Sequence, residues 1–226
     1  MLNSADIEYI EKIHPELNLS NDNKTISGRI GFTAVYNEDI NSFTINPNEQ
    51  HEGIKFTNEF NIKIELNGFT SGFPKLIVLE DFPQKAERHF YTDADKLIAC
   101  VCGVVEELEF MENFNIKDYI EQKVVPFLYG QLFFDKYEKW PWSDYSHNTL
   151  GVLESYSNSN NDRYVDEIIR RLKNQKDWAI LEKILNSKEQ PKGHTSCICI
   201  KKDYIRRCHP TAWNGLKKIY KDKNTR

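Results

Sequence analysis

The sequence predicts an α+β protein: a short N-terminal helix, an antiparallel four-stranded meander, and a C-terminal half made of helices. Three observations support this prediction. Isoleucines recur every third residue across 7–13, the spacing of an amphipathic helix. Apolar and polar residues alternate strictly across 60–66, as in a strand with one buried face. After Gly103 the apolar spacing becomes helical, with a continuous stripe across 116–132.

Each predicted element follows from its local pattern. Ser4 is a suitable cap for the first helix, and polar, asparagine-rich or glycine-containing segments separate the strands. Pro126 is expected to kink the long helical stripe or to start a new helix. The predicted meander strands cover 26–36, 43–46, 60–66 and 75–81, and the predicted helical segments cover 4–13, 104–114, 115–140 and 164–186.

The overall charge and hydropathy indicate which kinds of partner and which cellular compartment to expect. The chain has 226 residues and a formal net charge of -4, so a nucleic acid or an anionic membrane is not expected as its main partner. No segment has the ~20 consecutive apolar residues that a membrane span needs. Its five cysteines form two clusters rather than a disulfide framework. We therefore expect a cytoplasmic protein.

The first cysteine cluster lies in the segment 88–103, which reads RHFYTDADKLIACVCG. His89 opens it, an acidic and turning segment follows, and a short apolar strand leads to Cys100 and Cys102. A cysteine thiolate is a strong nucleophile near neutral pH, so both thiols are catalytic candidates. The alternative is that they are small packing residues, and His89 can equally be a structural histidine that bonds a turn.

A second histidine, His147, follows Ser146 next to a group of aromatic residues. It is a candidate hydrogen-bond donor that would stabilise the oxyanion formed during catalysis. Asn148 or backbone N–H groups are alternative donors. The same Ser-His pair is also compatible with the start of a helix or with a lid. Trp140 and Trp142 are interpreted as core or cleft-wall residues.

The second cluster has the spacing of a metal site: Cys197-x-Cys199, eight residues, and then Cys208-His209. Three thiolates and one imidazole make a complete tetrahedral set for a structural zinc ion. The surrounding tail has little apolar sequence of its own, so metal binding would supply folding free energy. His194 is a competing ligand.

These tail residues resemble the SEC-C motif, a small zinc module appended to many bacterial proteins. The resemblance covers about the last thirty residues and includes the aromatic and basic loop residues Tyr204, Arg206 and Arg207. The sequence departs from the motif at 200–202, where the usual Gly-Ser-Gly is replaced by Ile-Lys-Lys. The resemblance implies docking to a protein partner rather than catalysis.

The ordered features of residues 1–158 resemble a ubiquitin-conjugating (UBC-like) enzyme, and more narrowly its bacterial relatives in antiphage and ubiquitin-like conjugation operons. The features are FPKLIVLEDF at 73–82, Arg88-His89, the cysteines at 100 and 102, Trp140-Pro141, Ser146-His147, and Gly-Val-Leu-Glu at 151–154. The resemblance implies a transferase that carries a ubiquitin-like protein, or another protein C-terminus, as a cysteine thioester. It also implies an activating enzyme as partner and a defence-system nucleotidyltransferase as a possible carried or target protein.

The sequence departs from the eukaryotic family at one position that affects the chemistry. His-Pro-Asn precedes the cysteine in that family, whereas His89 is followed here by Phe90-Tyr91. Cys100 keeps the family position through its Cys-x-x-Gly approach to the next helix. A catalytically silent UBC-like adaptor is therefore the alternative function, and a thiol redox protein is a third hypothesis.

The resemblances also set the predicted domain boundaries. We expect a UBC-like domain over 1–158, a helical linker over 159–190, and a zinc module over 191–226.

Overall fold

The computed structural model describes residues 2–47, 51–68, 71–82, 87–93, 96–199, 201 and 203–225. The described residues form two compact units: residues 1–102 with 110–143, and residues 103–109 with 144–226. No helix within the described residues is long and apolar enough to cross a membrane. The architecture is α+β, with an antiparallel sheet in the first unit and helices toward the C-terminus, as the sequence predicts.

Helix α1 (Ser4–Ile13) begins at a capping box. The Asp6 backbone N–H donates to Asn3 Oδ1 (3.0 Å), and the Asn3 N–H donates to the Asp6 carboxylate (2.8 Å). Asp6 is only 4% exposed, and its other oxygen accepts from the Ile116 N–H at 2.9 Å. A single carboxylate thus caps α1 and ties it to the helix that starts at Ile116.

The sheet is built around its long second strand, which pairs with other strands on both sides. Within the described residues it has seven strands: β1 (Leu17–Leu19), β2 (Thr25–Asn37), β3 (Ser42–Ile45), β4 (Ile54–Glu65), β5 (Lys75–Val78), β6 (Phe90–Asp93) and β7 (Lys96–Ala99). The order is β1-β2-β4-β5-β7-β6, with β3 also paired to β2, and every pairing is antiparallel.

This sheet is larger than the predicted four-stranded meander, and its order differs. Among the described strands, β3 pairs with β2 alone, at Ala34↔Ile45, and β2 pairs with β4 directly, so β3 does not lie between them. Strand β1 has three residues, which is too short to show alternation, and β6 lies within the segment that the sequence marked as a turn. Of that predicted turn, Ala94 and Asp95 lie outside the described residues.

Helices cover the buried face of the sheet in the first unit. After α2 (Val104–Met111) come α3 (Ile116–Tyr119), a π-helical turn (Ile120–Val124) and α4 (Val125–Tyr137). Pro126 lies just after the π-helical turn, where Val124 and Val125 keep helical backbone angles and the Val125 N–H donates to the Ile120 carbonyl, so the helical path continues through the proline. Tyr119, Tyr129 and Phe133 are fully buried against the inward-facing isoleucines of β2 and β4.

The second unit has its own apolar core. Its helices are α5 (Asn148–Asn158), α6 (Val165–Lys173), α7 (Trp178–Leu185), α8 (Ile205–Cys208) and α9 (Pro210–Asn224), with a 3-10 turn at Asp162–Tyr164. Residues 159–190, predicted as a linker, contribute Val165, Ile168 and Leu181 to this core. The chain passes between the two units after residues 102, 109 and 143. The predicted boundaries at 158 and 190 stay predictions.

Candidate metal centre and candidate thiol site

Cys197, Cys199, Cys208 and His209 lie together in the second unit and could hold a metal ion. Their four ligand atoms all lie within 4.8 Å of one another. Cys197 Sγ is 3.3 Å from His209 Nδ1, and Cys199 Sγ is 3.2 Å from Cys208 Sγ. A tetrahedral site with metal–sulfur distances of ~2.3 Å places neighbouring ligand atoms about 3.8 Å apart. The cluster therefore needs only small side-chain adjustments to bind an ion.

A short antiparallel bridge brings the two halves of this cluster together. Ser196 pairs with Tyr204, the Cys197 N–H donates to the Asp203 carbonyl (2.7 Å), and the Ile205 N–H donates to the Thr195 carbonyl (2.9 Å). Tyr204 then starts the single helical turn α8, which ends at Cys208. The loop between the two ligand pairs is thus closed by backbone bonds. Ile200 and Lys202 of this loop lie outside the described residues.

The electrostatics of the cluster favour a cation. Burial raises the pKa of the Cys197 thiol to about 12, and the proximity of the other two thiols acts in the same direction. The hydrogen bond with Cys199, followed by burial, raises the pKa of Cys208. Without a positive charge, the thiols of Cys197 and Cys208 stay protonated at neutral pH. A bound cation would reverse that preference and hold them as thiolates.

Two further observations define the ligand set. The 3.2 Å between the sulfurs of Cys199 and Cys208 is far longer than a disulfide bond, and all five cysteines are free. His194, the competing ligand, is exposed and does not belong to the cluster. The cluster therefore consists of the four residues that the sequence spacing selected.

The second candidate site lies at the open end of the β6–β7 hairpin in the first unit. Strand β7 ends at Ala99, and Cys100 follows it with an exposed side chain. The Cys100 N–H donates to the His89 carbonyl at 2.8 Å, which continues the hairpin pairing by one residue. The hairpin thus brings the backbones of His89 and Cys100 together, although eleven positions separate them in sequence.

Cys102 has a different environment. It is partly buried and packs against the apolar core of the first unit. The predicted strand reached both cysteines, but β7 ends before either of them. Of the two thiols, Cys100 is the more accessible to a large substrate.

His89 is held by its neighbours in a left-handed backbone conformation, with φ of 56°. Its ring contacts Trp140 edge to face, with ring centroids 4.7 Å apart, and Trp140 Nε1 donates to the Glu87 carbonyl at 2.8 Å. These contacts are compatible with the structural role considered for His89. They also place Trp140 next to the open end of the β6–β7 hairpin.

Arg88 anchors the same turn from inside the protein. It is 4% exposed, donates to Asp135, and lies over the rings of Phe82 and Phe134. Gln131 Nε2 donates to the Arg88 carbonyl at 3.0 Å. The sequence marked Arg88 only as part of a motif, because nothing in a linear pattern shows that an arginine is buried.

His147, the remaining catalytic candidate, belongs to the second unit. It is exposed and occupies the N-cap position of α5. The Ser146 hydroxyl donates to Glu154 at 2.9 Å, and the Ser146 N–H donates to the same carboxylate at 2.6 Å. Ser146 is therefore committed to fixing the start of α5, which was one of the two roles considered for the Ser-His pair.

The second unit also contains a polar network that the sequence did not reveal. The carboxylate of Glu106 accepts from the hydroxyls of Tyr145 and Ser155, and Ser155 in turn accepts the Val105 N–H at 2.9 Å. A side chain at Gly103 would meet Glu106 Oε2 at 2.5 Å. A side chain at position 103 would therefore displace the Glu106 and Ser155 side chains of this network.

Comparisons with models of known protein families, with curated proteins and with solved structures found no match to this chain.

Proposed function

We propose that this chain is a ubiquitin-conjugating-like acyl transferase that uses Cys100 as its nucleophile, and that its second unit is stabilised by a structural zinc ion. The observation that carries the transferase proposal is the position of Cys100. It is an exposed thiol immediately after the last residue of a sheet strand, on a backbone fixed by a hydrogen bond to His89.

Several features support this choice of site. The end of a strand that is paired on both sides positions a nucleophile better than a free loop does, and exposure lets a protein C-terminus reach it. The antiparallel path β2-β4-β5-β7 leads directly to Cys100, and helices follow it. This arrangement is compatible with the UBC-like resemblance, which remains a proposal.

The proposed reaction is a balanced exchange of acyl groups. The Cys100 thiolate attacks the carbonyl carbon of a thioester presented by an activating enzyme, and the thiol of that enzyme leaves. A target amine then attacks the new thioester, an amide forms, and the Cys100 thiol is released. The carried protein is a ubiquitin-like protein or another protein C-terminus.

The test uses a donor that bypasses the unidentified activating enzyme. The full chain is incubated with a glycine-terminated peptide thioester of mercaptoethanesulfonate, and the intact mass is measured before and after reduction. We expect one reductant-sensitive peptide adduct in the wild type and in Cys102→Ala, and none in Cys100→Ala. Cys100→Ser is expected to give an adduct that resists thiols and is lost in alkali.

An adduct that survives in Cys100→Ala and disappears in Cys102→Ala would move the nucleophile to Cys102. If the wild type forms no adduct, the transferase proposal is wrong.

A specific observation favours a catalytically silent adaptor of the same fold as the second candidate. The eukaryotic family has His-Pro-Asn before the cysteine, whereas Phe90 follows the histidine here. Phe90 is 5% exposed and belongs to the core. The Cys100 N–H is already donated to His89, so it is not available to stabilise an oxyanion. An adaptor would bind the same partners and form no adduct.

The identity of the metal is proposed from the donor set. Three soft thiolates and one imidazole fill all four positions of a tetrahedral site with protein ligands. This donor set suits Zn²⁺ in a structural role. Metal analysis of protein purified without added metal is expected to give one zinc per chain, and none in Cys208→Ser. Cys100→Ser is the matched control, because it removes one thiol outside the cluster and should retain the zinc.

A further inference from the structure

The charge of the chain is divided very unevenly along the sequence. Residues 191–226 hold ten Lys and Arg against two Asp, whereas the other 190 residues hold 20 against 32 Asp and Glu. The net charge of -4 therefore conceals a basic module in an otherwise acidic chain. Such an asymmetry points to a polyanionic partner for the module.

Some of these cations have internal roles. Lys218 Nζ donates to the Ser159 carbonyl at 2.6 Å, and Lys223 Nζ donates to the Leu185 carbonyl at 3.0 Å. Lys192 pairs with Glu189. Lys202 and Arg226 lie outside the described residues.

The remaining five cations make no ion pair with the part of the chain that the structure describes. All five are exposed: Lys201, Arg206, Arg207, Lys217 and Lys221. Each lies on the metal-binding loop, on α8 or on α9, so the backbone that carries them is fixed by the metal cluster and by the helix that follows it. Hereafter these five residues are called the basic surface.

Aromatic rings accompany the cations of this surface. Tyr204 is 39% exposed, and the guanidinium of Arg207 lies 5.5 Å from its ring centroid. Trp213 is partly buried, and the ammonium of Lys217 lies 5.3 Å from its ring centroid. Cations next to accessible rings can contact phosphates and stack bases at once. An acidic peptide would use the cations and leave the rings without a function.

We propose that the basic surface, together with Tyr204 and Trp213, binds single-stranded nucleic acid. The cations contact the phosphates, and the two rings stack on unpaired bases, which a duplex would hide. This binding is separate from the proposed thioester chemistry at Cys100.

The test is fluorescence anisotropy of the full, metal-loaded chain with labelled oligo(U) and oligo(dT) of roughly 20 nucleotides. Titrations run across salt concentrations of about 50 to 200 mM. The triple variant Arg206→Ala, Arg207→Ala, Lys217→Ala should bind weakly. Its slope of log affinity against log salt should be smaller by about 2, because three phosphate contacts are lost.

The charge control removes three exposed lysines from the first unit, in the variant Lys12→Ala, Lys55→Ala, Lys117→Ala. It changes the net charge equally and should bind like the wild type. The ring test compares Tyr204→Leu with Tyr137→Leu, since Tyr137 is a similarly exposed tyrosine of the first unit (38%) with Lys136 over its ring. Only Tyr204→Leu should weaken binding, by about tenfold.

Metal content and circular dichroism confirm that each variant is folded. Three results would overturn the proposal: no binding by the wild type at the lowest salt concentration, equal losses in the test and control triple variants, or tighter binding of poly-glutamate than of either oligonucleotide. The last result would assign the basic surface to an acidic protein.

Discussion

At the scale of single residues, His14 shows how burial sets a protonation state. Its Nε2 lies 3.3 Å from the hydroxyl of Tyr9, which donates to Glu121 at 3.1 Å. Burial lowers the pKa of His14 below its ordinary value of 6.5, and the nearby Glu121 charge opposes this only in part. Burial, followed by the Glu121 charge, raises the pKa of Tyr9. The neutral imidazole is therefore the form that fits the folded protein.

This predicts a specific acid sensitivity. As the pH falls below 6.5, the unfolded chain binds a proton at His14 before the folded protein does, so the free energy of unfolding decreases until the lowered pKa is passed. The slope should stay well below the limit of about 1.4 kcal/mol per pH unit, because the ring is only half-buried. Denaturant unfolding of the wild type and His14→Gln at pH values above and below 6.5 measures it. An unchanged slope in the variant would contradict this account.

The residues of the metal cluster could be predicted, whereas their surroundings could not. Cys197, Cys199, Cys208 and His209 are close in sequence, so a short loop was enough to infer their meeting. The Glu106–Tyr145–Ser155 network joins side chains as far as 49 positions apart. No local pattern records such a contact.

At the scale of elements, the packing of α9 on α5 depends on one glycine. A side-chain carbon at Gly215 would lie 1.8 Å from the Leu153 carbonyl oxygen. The close approach of α9 to α5 also allows the Tyr156 hydroxyl to donate to Asp222 at 2.7 Å. The two helices therefore approach too closely for any other residue at position 215.

Gly215→Ala should destabilise the second unit. Overpacking against a backbone carbonyl typically costs about 1–3 kcal/mol, and separating the helices would also weaken the bond between Tyr156 and Asp222. Thermal unfolding measures the change. Gly31→Ala is the matched control, since its added carbon would meet nothing closer than 3.9 Å and should change the stability little.

Sequence patterns predicted the long, periodic elements, and they also predicted the short strands β3, β5 and β7, although with different bounds. Strands β2 and β4 have 13 and 12 residues, and α1 has the predicted apolar spacing, although its N-cap is Asn3 rather than the predicted Ser4. Strand β6 was missed because Thr92 and Asp93 are typical turn residues, while Phe90 and Tyr91 are too few to show a period. It pairs with β7, the next strand in sequence, from Asp93↔Lys96 to Phe90↔Ala99.

At the scale of the whole molecule, the candidate metal centre and the second core share residues. Cys197 and Ile205 are buried in the core that includes Leu153 and Leu216. His209 is a cluster residue, and its carbonyl accepts the Trp213 N–H at 2.9 Å in the first turn of α9. The candidate metal centre and the start of α9 are therefore one structural feature.

Removal of the metal should consequently loosen α8 and α9. Structural metal binding contributes several kcal/mol to folding, so chelation or Cys208→Ser should lower the thermal stability of the second unit. Hydrogen exchange should become faster in 205–224, and less so in β2 and β4 of the first unit. Equal protection of 205–224 with and without metal would show that the apolar core alone holds these helices.

The division of the chain into units has a consequence for its synthesis. Residues 103–109 belong to the second unit, but residues 110–143 return to the first before 144–226 complete the second. At translation rates of about 5 to 20 residues per second, Val105 waits on the order of ten seconds for the core that buries it. The ribosome-bound chain therefore exposes the Val105 side chain, which the finished protein hides, and this interval is when a chaperone would be needed most.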